Sequence, residues 1–175
     1  MWKTLSEKII HENNWYKIAH KRFEMPNSTQ GDYFIMQSRG ASYIIPVKDG
    51  KILMIEQYRY PINRRTIELP GGGVKEGGTY LQTAEEELLE ETGYAGKLRK
   101  VGEFSVITGV SDEICEVYIA TDLQFVGTRP EETEDFKLHE YPIEEVFRMI
   151  DNGQIIDGQT LAALALARNK LIIDK

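Results

Sequence analysis

The sequence predicts an α+β fold in which a mixed β-sheet carries few helices. Two observations predict it. Strand-length apolar runs outnumber helical segments, and they do not alternate with helices in the βαβα order of a doubly wound sheet. A capped acidic helix also stands in mid-chain, directly behind a glycine-rich stretch, in "ELPGGGVKEGGTYLQTAEEELLEETGY", residues 68–94.

The elements follow in order. In residues 1–40, "WYKIAHKRFEM" and "DYFIMQS" flank the turn "PNSTQG", and Tyr16, Ile18 and Phe23 alternate with polar residues as in a half-buried hairpin. Two strands alone are marginal in water, so this subdomain must pack on the main body or on a second subunit. From Ala41, "ASYIIPVKDGKILMIEQYRY" reads as two strands joined at Asp49-Gly50, a strong hairpin signal. "RTIELP" is a short strand running into the glycines, and "KLRKVGEFSVIT", "EICEVYIATDL" and "DFKLHEY" are strands by length and composition. "PIEEVFRMIDNG" reads as a helix with Pro142 at its start and Gly153 past its end, and "GQTLAALALARNKLI" as a last, largely buried helix.

Bulk properties bound the function. At 175 residues the chain suits one domain with a small appendage. A net charge of −7 disfavours a nucleic-acid binder, whose affinity comes from clustered Lys and Arg, and leaves room for a phosphorylated small molecule only if a cation bridges it. The N-terminus has no apolar signal region, and no segment reaches the ~18 apolar residues that would span a bilayer. The single cysteine, Cys115, excludes an intrachain disulfide and reads as a small buried strand residue, so the expected compartment is a reducing cytoplasm.

The acidic helix carries the chemistry. Thr79 with Gln82 forms a capping box that starts it near Tyr80, and Gly93 suits its left-handed end. Leu81, Ala84 and Leu88 share one stripe, expected to face the sheet. Glu87 and Glu91, four apart, and Glu90 stand beside it and repel one another unless something positive sits among them. A hard divalent cation fits, because Mg²⁺ takes oxygen ligands, keeps waters and bridges to phosphates; the preceding glycines let backbone come close to a ligand.

The whole stretch resembles the Nudix box: glycine, five residues, Glu, seven residues, then Arg-Glu-U-x-Glu-Glu-x-Gly-U, where U is apolar or aromatic. Gly72 takes the first glycine and "EELLEETGY" covers 86–94. The resemblance implies a Nudix-type mixed sheet sandwiched by helices, hydrolysis of a nucleoside diphosphate linked to another group, and Mg²⁺ (Mn²⁺ also suits). It makes Glu87 and Glu91 metal ligands, Glu90 a further direct or water-mediated ligand in the catalytic set, and the Gly71 carbonyl the last protein donor. Two positions depart: Gly78 stands where the family has its first Glu, and Glu86 where it has Arg. Glu86 is four before Glu90 and adds a like charge there, so a weaker fastening of loop to helix is expected.

"IEQYRYPINRRTIELPGGGV" is similar to the ADP-ribose and nucleoside diphosphate sugar pyrophosphatase branch, which implies that Arg59 contacts substrate phosphates and Glu68 positions the binding loop. "ITGVSDE", with Thr108 in place of a proline, and "IDGQTLAALALA" resemble later parts of that branch. Residues 1–40 resemble its dimerisation subdomain, and 41–175 form the catalytic domain. In "TRPEETEDFKLHEY", the likeness makes Glu132 the general base and Glu134 a supplementary ligand or base, with Glu131 also open. His139 reads as a structural histidine, and Trp15, Tyr16 and Phe34 as core or dimer contacts that could also stack on a base. The implied activity is Mg²⁺-dependent cleavage of a nucleoside diphosphate sugar, ADP-ribose first, by a cytoplasmic homodimer without nucleic-acid or membrane partners. A GDP-mannose-type hydrolase and a non-catalytic nucleotide-sugar sensor are the alternatives.

Overall fold

The computed structural model describes residues 1–127 and 136–173. Strands β4 (Ala41–Lys48) and β5 (Lys51–Arg59) are joined by the expected turn, with Asp49 and Gly50 both at positive φ, as a tight hairpin requires. They pair only beside the turn, Val47 with Ile52 and Lys48 with Lys51, and then splay. Strand β6 (Arg64–Glu68) fills the opening on β5, and the short glycine strand β7 (Gly71–Gly73) fills it on β4. Leu69 and Pro70 therefore cross the crease of the sheet, and the glycines emerge on its far side.

The rest completes a seven-stranded mixed sheet in the order β10-β5-β4-β9-β8, with β8 Tyr94–Ser105, β9 Ile114–Phe125 and β10 Phe136–Pro142. Among the described strands of this sheet only β4 and β9 pair in parallel, so the α+β reading holds. Helix α1 (Tyr80–Thr92) covers one face, where Ile44, Ala84, Leu88, Tyr118 and Ala120 form a small core. Helices α2 (Ile143–Asp151) and α3 (Gly158–Ile173) cover the other, over a larger core around Ile45, Ile52, Met54, Ile119, Met149 and Leu164. Among the described residues no helix is long and apolar enough to cross a membrane.

Residues 1–40 hold three strands rather than a hairpin: β1 (Lys3–Glu12), β2 (Lys17–Glu24) and β3 (Gln30–Gln37), all antiparallel. Irregular register between Thr4 and Ser6 and between Ile9 and His11 breaks the alternation of β1, which is why its apolar residues show no period of two. Ala19 is the buried position of β2, while Tyr16 is exposed. This sheet is tied to the main body by the 106–113 loop: Ser111 Oγ donates to the Met36 carbonyl at 2.9 Å, and Asp112 accepts from the Ser38 N–H at 3.2 Å.

Candidate functional site

Helix α1 begins and ends as its sequence dictates. Thr79 Oγ1 accepts from the Gln82 N–H, Gln82 Oε1 accepts from the Thr79 N–H at 3.0 Å, and Gly93 closes the helix at φ 76°. Ser42 Oγ donates to the Tyr80 carbonyl at 2.7 Å, so the first turn is pinned to β4. The buried face differs from the expected stripe. Ala84 and Leu88 point inward, but Leu81 is 44% exposed, and Thr83, Glu91 and Thr92 are buried instead. The helix turns one carboxylate, Glu91, towards the sheet.

That carboxylate has a specific partner. The Gly71 N–H donates to Glu91 Oε2 at 2.8 Å, so the glycine strand and the helix are joined through a buried acid. Glu87 lies one turn earlier against the next glycine: a Cβ placed on Gly72 would collide with Glu87 Oε1. A side chain at 72 would occupy the carboxylate's own space, which is the physical need for glycine there. Glu87, Glu91 and the Gly71–Gly72 backbone are thus brought together.

Glu90 is half-buried on the same helix, near enough to Lys75 to act on its charge. Among the described residues no three His, Cys, Asp or Glu side chains form a ready cage for a metal. Two carboxylates beside backbone oxygen fit a hard divalent cation that keeps several waters and meets substrate phosphates. They would not suit a soft metal.

On the other side of the crease, Glu68 is 2% exposed and fully engaged. Arg59 Nε and Nη2 donate to it at 2.9 and 2.5 Å, Gln57 Nε2 donates at 3.1 Å, and Thr66 Oγ1 also donates. The Glu68 carboxylate in turn holds the Arg59 guanidinium above its ordinary range. Nη1 of Arg59 has no partner among the described residues, and the side chain is 45% exposed. Tyr43, which pairs with Gly71, has its phenol pushed well up, first by burial and then by Cys115 and Asp157. The Thr160 hydroxyl accepts from the Leu69 N–H at 3.0 Å, and Asp157 caps the Thr160 N–H at 2.7 Å, which fastens the start of α3 to the strand leading into the glycines. The "IDGQT" segment therefore supports the loop from below, a role that its composition did not announce.

Glu86 is not left among like charges. Lys75, in the loop after β7, donates to Glu86 Oε2 at 3.1 Å, and the charges of Glu90 and Glu87 also act on it. The loop carries the cation and the helix the anion, the reverse of the Nudix pattern at Gly78 and Glu86. Lys75 belongs to no motif in the sequence; its one signal there is a lone cation three residues before Gly78. Gly78 itself sits in a turn, its N–H donating to the Lys75 carbonyl at 3.0 Å.

Other expectations divide. Cys115 is buried and free. His139 Nε2 lies 3.1 Å from Glu56 Oε2, and the other oxygen of that carboxylate, Oε1, accepts from Arg65 Nε at 2.9 Å, so the histidine is satisfied structurally. Trp15, Tyr16 and Phe34 are not core residues: all are exposed, Trp15 by 79%. Trp15 and Tyr16 line a cleft of about 490 Å³ that continues to Arg39, Gly73, Lys75 and Glu113. Phe34 instead stacks on His20 at 4.7 Å between ring centres. Glu131, Glu132 and Glu134 lie outside the described residues.

A capped helix presenting carboxylates to a glycine strand, across a splayed sheet backed by helices, defines the class: a domain built to hold a divalent cation and a phosphorylated small molecule. The chain belongs to the Nudix family, whose NUDIX domain model matches residues 36–164. It is 31% identical to an ADP-ribose pyrophosphatase of Bacillus subtilis (strain 168) over 166 residues, covering 93% of this chain and 90% of that protein. It is 32% identical to an ADP-ribose pyrophosphatase of Mycobacterium tuberculosis (strain ATCC 25618 / H37Rv), over 93% of this chain and 81% of the relative. A crystal structure titled ADP compounds hydrolase superposes with a TM-score of 0.84 at 18% identity, covering 98% of this chain and 94% of the other, and shares the fold. Nudix hydrolases generally use a divalent metal.

Proposed function

We propose that the protein hydrolyses the pyrophosphate of a nucleoside diphosphate sugar, ADP-ribose first, to a nucleoside monophosphate and a sugar phosphate, with Mg²⁺ as its metal. The observation that carries this reading is the joining of Glu91 to Gly71 and of Glu87 to Gly72 in a chain matched over nine-tenths of its length by proteins named ADP-ribose pyrophosphatase. Bound Mg²⁺ would offset charge on the bridging phosphates and ease deprotonation of a water. Glu87, Glu91 and the Gly71 carbonyl would hold it, with Glu90 adding a direct or water-mediated contact.

The chain's own groups do the rest. Arg59 offers its Nη1 edge to a phosphate while Glu68 fixes the fork. Trp15 and Tyr16, at the mouth of the 490 Å³ cleft, suit stacking on a base. Glu132 as general base, with Glu134 as supplementary ligand or base, rests on the family likeness alone. Residues 1–40 serve as a dimerisation subdomain attached to a catalytic domain of 41–175, supported by the exposure of Trp2, Leu5, Ile9 and Ile10. A monomer found by mass measurement in solution would overturn the dimer.

The activity is tested with ADP-ribose, GDP-mannose, UDP-glucose and diadenosine polyphosphates in Mg²⁺. ADP-ribose should turn over fastest, and Glu87→Gln should lower its kcat/KM about a hundredfold or more. Preference for GDP-mannose would move the substrate to the other sugar nucleotide. Tight binding of ADP-ribose without turnover of any compound would point to a sensor and sink the hydrolase reading.

A further inference from the structure

The sheet carries a second concavity far from the carboxylates. It is a cavity of about 640 Å³ walled by Val47, Ile119, Ile143, Phe147 and Leu171, between β4 and β9 on one side and α2 and α3 on the other. Val47 and Ile119 alternate along their strands with Ile44, Tyr118 and Ala120, which lie under α1, so the cavity opens on the opposite face of the sheet from Glu87 and Glu91. It also lies at the Gly50 end of β4, roughly 16 Å along the strand from the Ser42–Gly72 pair at ~3.3 Å per residue.

The charge around the cavity reverses that of the molecule. The chain as a whole carries −7, yet among the described residues Arg99, Arg168 and Lys170 line this cavity against a single carboxylate, Glu144. Lys170 is committed to the Val101 carbonyl at 2.6 Å, and the Arg168 guanidinium rests on the Phe147 ring at 4.9 Å. Arg99 is exposed, and its guanidinium has no hydrogen-bond or ion-pair partner among the described residues. An apolar cavity of this size with a few convergent polar groups is the usual form of a small-molecule site.

We propose that this cavity binds an amphipathic anion, with an apolar body against Ile119, Ile143 and Phe147 and a single carboxylate or phosphate head at Arg99 and Arg168. The occupant is distinct from the nucleotide sugar, whose polar faces would leave the apolar walls uncovered. Charge complementarity selects the anion over a neutral or cationic amphiphile, since a cation would meet three like charges.

The test is calorimetric titration of the full chain with decanoate, in parallel with decanol and decyltrimethylammonium. Decanoate should saturate one site per chain, with the cationic amphiphile at least about tenfold weaker. Arg99→Glu should weaken decanoate about tenfold, and Thr121→Trp, at an exposed lining position, should block it by filling the cavity. Inorganic phosphate and decyl phosphate separate the head from the body: decyl phosphate should compete with decanoate and inorganic phosphate alone should not. An unchanged melting temperature confirms that each variant folds, independently of any hydrolytic activity. Absence of saturable binding, equal binding of the cation, or binding unaffected by both variants overturns the proposal. So does a decanoate-dependent change in mass, which would make the cavity an interface between copies of the chain.

Discussion

Arg59–Glu68 and Lys75–Glu86 lie on either side of the glycine strand β7, one before it in the chain and one after. Each joins a basic side chain to a carboxylate, but Glu68 is 2% exposed whereas Glu86 is 51% exposed and Lys75 61%. Glu68 accepts from Arg59, Gln57 and Thr66; Glu86 is met by one lysine. The difference teaches what each pair can do. A buried carboxylate cannot hydrate when a partner leaves, so its pair fixes geometry rigidly. An exposed pair trades its partner for water at little cost, and can only bias the position of a loop.

The largest effect should come from breaking the buried pair on its cationic side. Arg59→Met leaves the Glu68 charge in place with two neutral donors, and should cost about 3 kcal/mol of stability, the low end for a broken buried pair because Arg59 is itself partly exposed. Glu68→Gln should cost less, since the freed arginine can hydrate while Gln57 and Thr66 keep a partner. Urea denaturation of both variants tests the asymmetry. Equal losses would mean that Glu68 is no more dependent on its partner than a surface carboxylate is.

A second prediction separates position from stability between the two pairs. In Gly72→Ala the new methyl meets the end of the Glu87 side chain, which can swing away at small cost in folding energy. The carboxylate then leaves the place where it stands beside Glu91, and a displacement of about 1 Å near the reacting groups can lower a rate about a hundredfold. The measurement is kcat/KM for ADP-ribose beside the melting temperature. A normal rate in a normally stable variant would exclude Glu87 from the working site.

Much of this was legible in the sequence because its signals are local. The Asp49-Gly50 turn, the Thr79–Gln82 capping box and the Gly93 end depend on residues within four positions of one another. What was not legible depends on distant packing. Strand β1 was missed because irregular register cancels the period of two. A helical wheel places Leu81 on the core stripe, but it cannot show that the glycine strand turns the inward face of α1 towards Glu91. Thr160 and Asp157 stand some ninety residues from the strand they support, with no spacing rule to link them. Lys75 is local, but a search for an arginine at position 86 looks for the wrong sign in the wrong element.

The smallest effect belongs to Lys75–Glu86, and its form distinguishes a loop fastening from an idle surface contact. An exposed pair is worth about 0.2–1 kcal/mol, so Lys75→Met alone should barely move the melting temperature. The charges of Glu86, Glu90 and Glu87 all act on Lys75, so removing it makes that side of the helix more negative by one charge. A severalfold loss of kcat with KM little changed is therefore expected, larger at low salt, where screening is weak. Glu86 raises the lysine above its ordinary range, so the contact is fully formed at pH values below that range and is lost only as pH rises through the raised value. The effect should accordingly stay constant between about pH 6 and 9. Exchanging the charges in Lys75→Glu with Glu86→Lys restores the pair but moves the cation onto the helix, four residues before Glu90. Recovery of most of the lost kcat by the double variant, where each single variant is impaired, would identify the pair itself as the fastening. Additive losses would mean that Lys75 acts through Glu87 and Glu90 rather than through Glu86, and that the exposed side of the glycine strand is held by charge balance alone.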